Sequence, residues 1–305
     1  MSQNLQPNLG HLHFGGAHPI QDAQQLATIR QLLATYDHSM IADPSVNQQF
    51  LQRYRQWLTD SGGLPGLDQF EYAVYSNGTS EAFDAFYLRH RNRRFRVHPA
   101  EYSYHKIAFT RMELEWTPLD DEMLAANDAV IFSAPFANSG NWPPDDYMYD
   151  LRQRCNNLHI PVLIDMAYLG TTGPFTLDLT KWDCVEDVVF SLSKVFPVAH
   201  YRIGMRLSKH DYDDGMFVYH KANYTNRFGA WLGKQLLDQY PYDWLWKKYS
   251  DQQHFHCGIL ELEPSNCVLF GVDNDNKWPE YNRGGAVNRL FFGREYVEPP
   301  LVGDN

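Results

Sequence analysis

Apolar residues recur along this chain in two alternating rhythms. In QFLQRYRQWLTDS (49–61) they fall at helical spacing, and the following GGLPG ends the element. FEYAVYS (70–76) reads as a short strand, punctuated by NGTS and followed by a helical pattern from about Glu81 to Arg91. Strand-like segments return at RFRVHP (94–99), AVIFSAP (129–135), IPVLIDMAY (160–168), DVVFSLS (187–193) and YRIGMRL (201–207). Helical patterns such as DDYMYDLRQRCNN (145–157) lie between them. Near-continuous apolar strands alternating with helices predict an α/β domain, a three-layer, mostly parallel (mixed) sheet covered on both faces.

After about residue 210 the rhythm changes. One long helix is expected through 216–240 and more helix after it, with short strands near CVLFGV (267–272) and AVNRLFFG (286–293). The organisation that follows is an N-terminal arm with part of a small domain (1–45), a large α/β domain (46–210), and a linking helix with a small C-terminal α+β domain (211–305).

Composition narrows the partners. With 305 residues the chain can bury a large core, and 44% hydrophobic with 21% charged residues describes a folded protein. The net charge of -11 and the lack of a basic stripe argue against nucleic acid. No apolar run is long enough to span a bilayer, and MSQNLQPNLGHLHF has neither the basic start nor the apolar stretch of a signal peptide, so a cytoplasmic protein is expected. Cys155, Cys184, Cys257 and Cys267 stand far apart, as structural thiols do in a reducing compartment. HLH (11–13) and HFHC (254–257) lack a second ligand pair at metal spacing and read as ordinary histidines.

In such a sheet, ligands bind beyond the carboxyl ends of the strands, so the polar residues there carry the candidate chemistry. Asn77-Gly78-Thr79-Ser80 joins a strand to a helix. Free backbone N–H groups and the helix dipole suit a phosphate there, with hydroxyls from Thr79 and Ser80; helix capping accounts for the same residues. Asp165, in DMAY, puts a carboxylate at a buried strand end, where it needs a cationic partner or caps the next turn. Ser191-Leu192-Ser193-Lys194 places a lysine directly after a strand, and Arg202 follows eight positions later. Desolvation would make such a lysine a nucleophile toward carbonyls, and the arginine's planar fork suits phosphate. A snorkelling lysine and a surface ion pair would explain each of the two separately.

Taken together these segments fit one chemical object. SLSKVFPVAHYRIGMR resembles the S-x-S-K segment and following arginine of the fold-type I pyridoxal-phosphate enzymes, the aspartate aminotransferase-like superfamily. DMAY is similar to that family's D-x-A-Y, and GTSEAF to its phosphate-loop G-x-[ST]-E-A. The resemblance covers roughly residues 70–210. It implies pyridoxal 5'-phosphate as cofactor, held as a Schiff base on Lys194, which would also move the substrate proton. Asp165 would pair with the ring nitrogen and Tyr168 with the ring's phenolic oxygen. Gly78, Thr79, Ser80, Ser191 and Arg202 would hold the phosphate, and Tyr102 would stack on the ring in preference to Tyr104.

Weaker likenesses extend the set. FSAPFANSGNWPP resembles the family's N-P-x-G segment, with Ala137 or Asn138 in the asparagine position; Asn138 is the expectation. AVNRLFFG resembles the strand whose arginine clamps a substrate carboxylate, which implies Arg289, with a surface ion pair as the other reading. Gly15 and Gly16 would line the substrate site. A homodimer with shared sites is implied, with YHKANYTNRF (219–228) as the crossing segment, Thr225 toward the partner's phosphate and Lys221 toward a substrate. The activity implied is an aminotransferase acting on amino-acid and keto-acid substrates. A lyase or decarboxylase is the alternative, and a cofactor-binding regulator lacks its DNA-binding module.

Overall fold

The protein is described by a computed structural model over residues 11–296, so the outermost parts of the expected arm and small domain lie outside the described residues. Chain order is α1 (Ala23–Thr35), α2 (Val46–Asp60), β1 (Tyr72–Ser76), α3 (Thr79–Arg89), β2 (Arg94–Val97), α4 (Ser103–Arg111) and β3 (Trp116–Pro118). Then come β4 (Asp128–Ser133), α5 (Asp145–Asn157), β5 (Val162–Asp165), β6 (Val185–Ser191) and β7 (Gly204–Ser208). The remainder is α6 (Gly215–Lys221), α7 (Arg227–Gln239), α8 (Trp244–Leu260), β8 (Glu263–Pro264), β9 (Phe270–Asp273) and β10 (Asn288–Phe291).

The period-2 geometry of a strand sends alternate side chains to opposite faces, and apolar runs therefore feed two cores. Val130 and Phe132 of β4, Ile164 of β5 and Phe190 of β6 join one cluster with Phe50, Tyr54 and Trp57 of α2 and Leu236 of α7. Ala129, Ile131, Leu163 and Val189 join the other with Phe83 and Phe86 of α3 and Phe109 of α4. This is the expected three-layer α/β arrangement. The main sheet has seven strands in the order β1-β7-β6-β5-β4-β2-β3, and β7 alone runs against the rest. A second, antiparallel sheet of three strands, β10-β9-β8, forms the small α+β region.

Two consequences matter for function. The carboxyl ends of β1, β2, β4, β5 and β6 and the start of β7 all open on one edge of the sheet. The N-terminal segment crosses to the small sheet, where the Phe291 amide donates to the Phe14 carbonyl at 2.8 Å. The single helix expected over 216–240 is corrected to two, α6 and α7. Asn223 takes a left-handed φ of 57° and the Asn226 side chain caps α7 by accepting from the Gly229 amide, so the helix restarts in a new direction.

Candidate active site

β1 ends at Ser76, and Gly78 turns the chain into α3 with φ 78° and ψ 175°, a conformation that favours glycine. The absent side chain has a second purpose. A Cβ on Gly78 would sit 2.1 Å from Nη2 of Arg202, so the arginine lies directly over the start of α3. Arg202 is itself left-handed, with φ 56°, and its carbonyl accepts from the Tyr75 hydroxyl at 2.9 Å. Strained backbone of this kind persists only where its surroundings hold it. Ser191, at the end of β6, donates to Ser193 Oγ at 2.9 Å and accepts from the Ser193 amide at 3.2 Å. Thr79, Ser80, Ser191, Ser193 and Arg202 thus share one end of a cavity of about 520 Å³.

β5 brings Asp165 to the floor. Its carboxyl is 5% exposed, and its one hydrogen bond among the described residues comes from the Ala167 amide at 3.0 Å. Burial, reinforced by the charge of Glu101, pushes its pKa up to about 8. Glu101 accepts from the Ser133 amide at 2.9 Å, and Ser133 is the partner of Asp165 across β4 and β5. Lys194 faces the same cavity and donates to the Ala17 carbonyl at 2.6 Å. Burial first, then the positive charges of Arg289 and Arg202, bring its ammonium down to about 8. An amine so placed is unprotonated far more often than a surface lysine, and therefore more nucleophilic.

The third wall comes from the small sheet. Arg289 of β10 is 3% exposed. It donates to the carbonyls of Ala137 and of Gly16 (3.0 Å) and to the Tyr168 hydroxyl (3.3 Å), with its guanidinium 4.1 Å from the Phe270 ring centre. Burial raises the Tyr168 hydroxyl pKa, and Arg289 opposes the shift. Tyr102 lines the cavity, while the Tyr104 hydroxyl donates to Asp84 at 2.7 Å and is engaged elsewhere. A hollow of about 570 Å³ between α2 and α6 has none of this chemistry: its Lys221 is paired with Asp211 at 2.8 Å and its His220 bonded to Asn47 at 3.2 Å.

These positions come together on a known framework. The aspartate aminotransferase of Thermus thermophilus superposes with a TM-score of 0.64 at 12% identity, covering 92% of this chain and 86% of that one. Tyrosine aminotransferase from Leishmania infantum gives 0.63 at 12% identity, covering 95% and 90%. A pyridoxal-phosphate-bound C–S lyase from Staphylococcus hominis gives 0.62 at 11% identity, covering 88% and 80%. The chain has the fold of the fold-type I aminotransferases. No family model and no curated protein sequence matches it.

Within this fold the candidates Gly16, Thr79, Ser80, Tyr102, Asp165, Tyr168, Ser191, Lys194, Arg202 and Arg289 line one cavity. Gly78 stands beside it, under Arg202. One expectation is corrected. Ala137 lines the cavity where Asn138 was expected, and the Asn138 amide lies against Gly285, with its buried Oδ1 unpartnered. Lys221 pairs with Asp211 and Asp213, and Thr225 lines a separate hollow of about 140 Å³ beside Asn77. Among the described residues no helix is long and apolar enough to cross a membrane.

Sequence reasoning overlooked His18, Ser193 and Arg283, which also line the cavity. Ser193 stood inside the quoted S-x-S-K segment. Arg283 stands six positions before Arg289, in NRGG, away from any strand end of the main sheet.

Proposed function

We propose that the chain is a pyridoxal 5'-phosphate enzyme and, within that class, an aminotransferase passing an amino group from an amino acid to a keto or aldehyde acceptor. The observation that carries the reading is the pair in one cavity: a desolvated amine, Lys194, and a buried carboxyl, Asp165, that has no cationic partner in ion-pair contact among the described residues. The residues fit the cofactor. Asp165 wants a ring N–H, the start of α3 with Arg202 wants a dianion, and Lys194 wants an aldehyde. When bound, the cofactor supplies that aldehyde and a ring able to accept an electron pair from the substrate carbon.

The chain's own groups do the remainder. Lys194 Nζ, once free, stands where it can take a proton from the substrate carbon and return it at the neighbouring position. Asp165 holds the proton of the ring nitrogen. Tyr168, fixed by Arg289, would donate to an oxygen of the bound ring, and Tyr102 would pack against that ring. Arg289 takes the substrate carboxylate, and its existing bonds to Ala137, Tyr168 and Gly16 hold the fork in place beforehand. A homodimer belongs to the same proposal, since Val218, Tyr219 and Tyr224 expose apolar surface; sedimentation of the full chain at one chain's mass would remove that part.

A lyase is the second reading, supported by the C–S lyase framework at a TM-score comparable to the aminotransferases. The absorbance spectrum with added cofactor decides. We expect a band near the visible edge, absent in Lys194→Ala, that an amino-acid donor bleaches with release of its keto acid. Ammonia or CO₂ release without transfer would replace the aminotransferase with the lyase or decarboxylase. A wild type that acquires no such band would end the cofactor reading altogether.

A further inference from the structure

The reading above gives no work to Glu101. It is 1% exposed and lies outside the cavity lining, yet it touches two of the walls from behind. Its carboxyl accepts from the Ser133 amide at 2.9 Å and from the Ser133 hydroxyl at 2.5 Å. Ser133 is the neighbour of Asp165 across β4 and β5, and the next amide, of Ala134, donates to the Asp165 carbonyl at 2.9 Å. The same carboxyl accepts from the Tyr102 amide at 2.9 Å, at the start of α4. One side chain thus ties the strand beside Asp165 to the residue that would pack on the ring.

Three donors satisfy the oxygens but leave the charge. Among the described residues no cation lies within ion-pair distance of Glu101. Lys106 of α4 feels its charge but donates to the Pro99 carbonyl at 2.5 Å. A buried carboxylate without a counter-charge is costly, and the other neighbours do not relieve it. Tyr87 of α3, Tyr102, and Tyr147 of α5 are phenols whose pKa values burial raises, with the negative charges of Asp165 or Glu101 adding to the shift. His105, bonded to Tyr87 at 2.7 Å, is kept uncharged by burial, which brings its pKa down to about 3. What the charge does act on is Asp165. Burial first, then Glu101, hold the proton there, against the Ala167 amide and Lys194. Two carboxyls coupled in one buried region do not both ionise cheaply, so the pair retains a proton.

We propose that Glu101 is a positioning residue that acts through Asp165 and keeps a proton there for the cofactor's ring nitrogen. The inference rests on the proposed function for what Asp165 meets. In the cofactor-free protein the proton stays on the Asp165 carboxyl. Asp165 then gives it up to the ring nitrogen: its O–H bond breaks as the N–H bond forms, and the net charge of the site is unchanged. Glu101 remains as a second negative charge behind that pair. It favours the protonated ring, the form best able to take up an electron pair.

Stability of the full-length, cofactor-free protein tests this without the cofactor. From about 4 to about 8 the folded state binds more protons at Asp165 than the unfolded chain, so stability falls as pH rises across that window. In Glu101→Gln the burial remains and the like charge is gone. Urea unfolding should therefore show the fall ending on the order of one pH unit lower than in wild type. Asp165→Asn should abolish the fall, and adding Glu101→Gln to it should change the level of the curve but not its pH dependence. Glu101→Asp, which keeps the charge, should keep the wild-type pH dependence, and Glu101→Ala serves if the glutamine variant does not fold. A uniform loss with unchanged pH dependence in Glu101→Gln would mark a purely structural tie and overturns the proposal. So does a shift that persists in the Asp165→Asn background.

Adding pyridoxal phosphate separates this claim from the cofactor reading. Once Asp165 has lost its proton, binding must draw one from solvent. Cofactor affinity, read at the absorbance band, should then begin to fall with rising pH on the order of one unit earlier in Glu101→Gln. A band whose pH dependence is the same in wild type and variant defeats this inference alone. A shifted stability curve without any band defeats the cofactor reading and leaves the carboxyl pair standing.

Discussion

Two pairs of arginines stand at opposite edges of the seven-stranded sheet, and they are treated differently. At the amino end of β6, Arg206 is fully buried and bonds both oxygens of Asp214, at 2.7 and 3.1 Å. Its neighbour Arg89 pairs with Asp187 and with Glu186 at 3.2 Å and lies 3.6 Å from the Tyr212 ring centre. Burial raises the Glu186 and Asp214 pKa values, but the paired cations and hydrogen bonds outweigh it and hold both carboxyls below their ordinary range. At the carboxyl edge, Arg283 and Arg289 have no carboxylate within ion-pair distance among the described residues. A protein able to neutralise one buried pair so completely has left the other open. Unpaired charge in a cavity is costly, and it persists where a ligand completes it.

That contrast can be broken at either edge. The largest effect is expected from Asp187→Ala. It leaves Arg89 without its closest partner and Ser208 without an acceptor, and should cost about 3–5 kcal/mol in urea unfolding. A loss under 1 kcal/mol would mean that the network is not structural.

The second test uses pH. Cofactor-free Asp165 keeps its proton up to about 8, whereas in the unfolded chain it loses it near 4. Between those values the folded state binds more protons, so stability falls as pH rises. Lys194, with its pKa lowered to about 8, reverses the slope from there to the ordinary lysine range, because the unfolded chain then binds more protons. The summed contribution of these two groups to the stability of cofactor-free protein should therefore be smallest near pH 8. Asp165→Asn should gain on wild type by at most about 2–3 kcal/mol between pH 6 and pH 8. Parallel stability curves for the two proteins would refute the shift.

The smallest effect is expected from Gly78→Ala, about 1–3 kcal/mol from the strained φ. Its sharper signature is weaker phosphate affinity, since the new Cβ would displace Arg202. Unchanged phosphate binding would separate Arg202 from the cradle.

The parts of the site that were legible share a physical feature. Asp165, Ser191 and Lys194 are tied to strands whose apolar periodicity announces where each strand stops, so polar residues there stand out against their local background. Gly78, Thr79 and Ser80 are set in the same way by a strand-to-helix turn. The parts that were not legible depend on contacts distant in sequence. Arg283 gains its meaning from Tyr102 and Tyr168, which lie on other elements far off in the sequence. The choice between Ala137 and Asn138 turns on one step in an irregular loop, where neither period applies. The break between α6 and α7 comes from the left-handed Asn223, which helix spacing does not register.

The chain's pattern by itself determined the layering, the order of most strands along the sequence, and the residue types at their ends, because burial of alternating or helical apolar faces is a local property summed over each element. The tertiary structure alone decided that β7 runs against its neighbours, that the small sheet lays Arg289 across the Gly16 carbonyl, and that the Asn282 turn aims Arg283 into the same cavity. Those outcomes depend on which surfaces meet, and no window of sequence contains both partners.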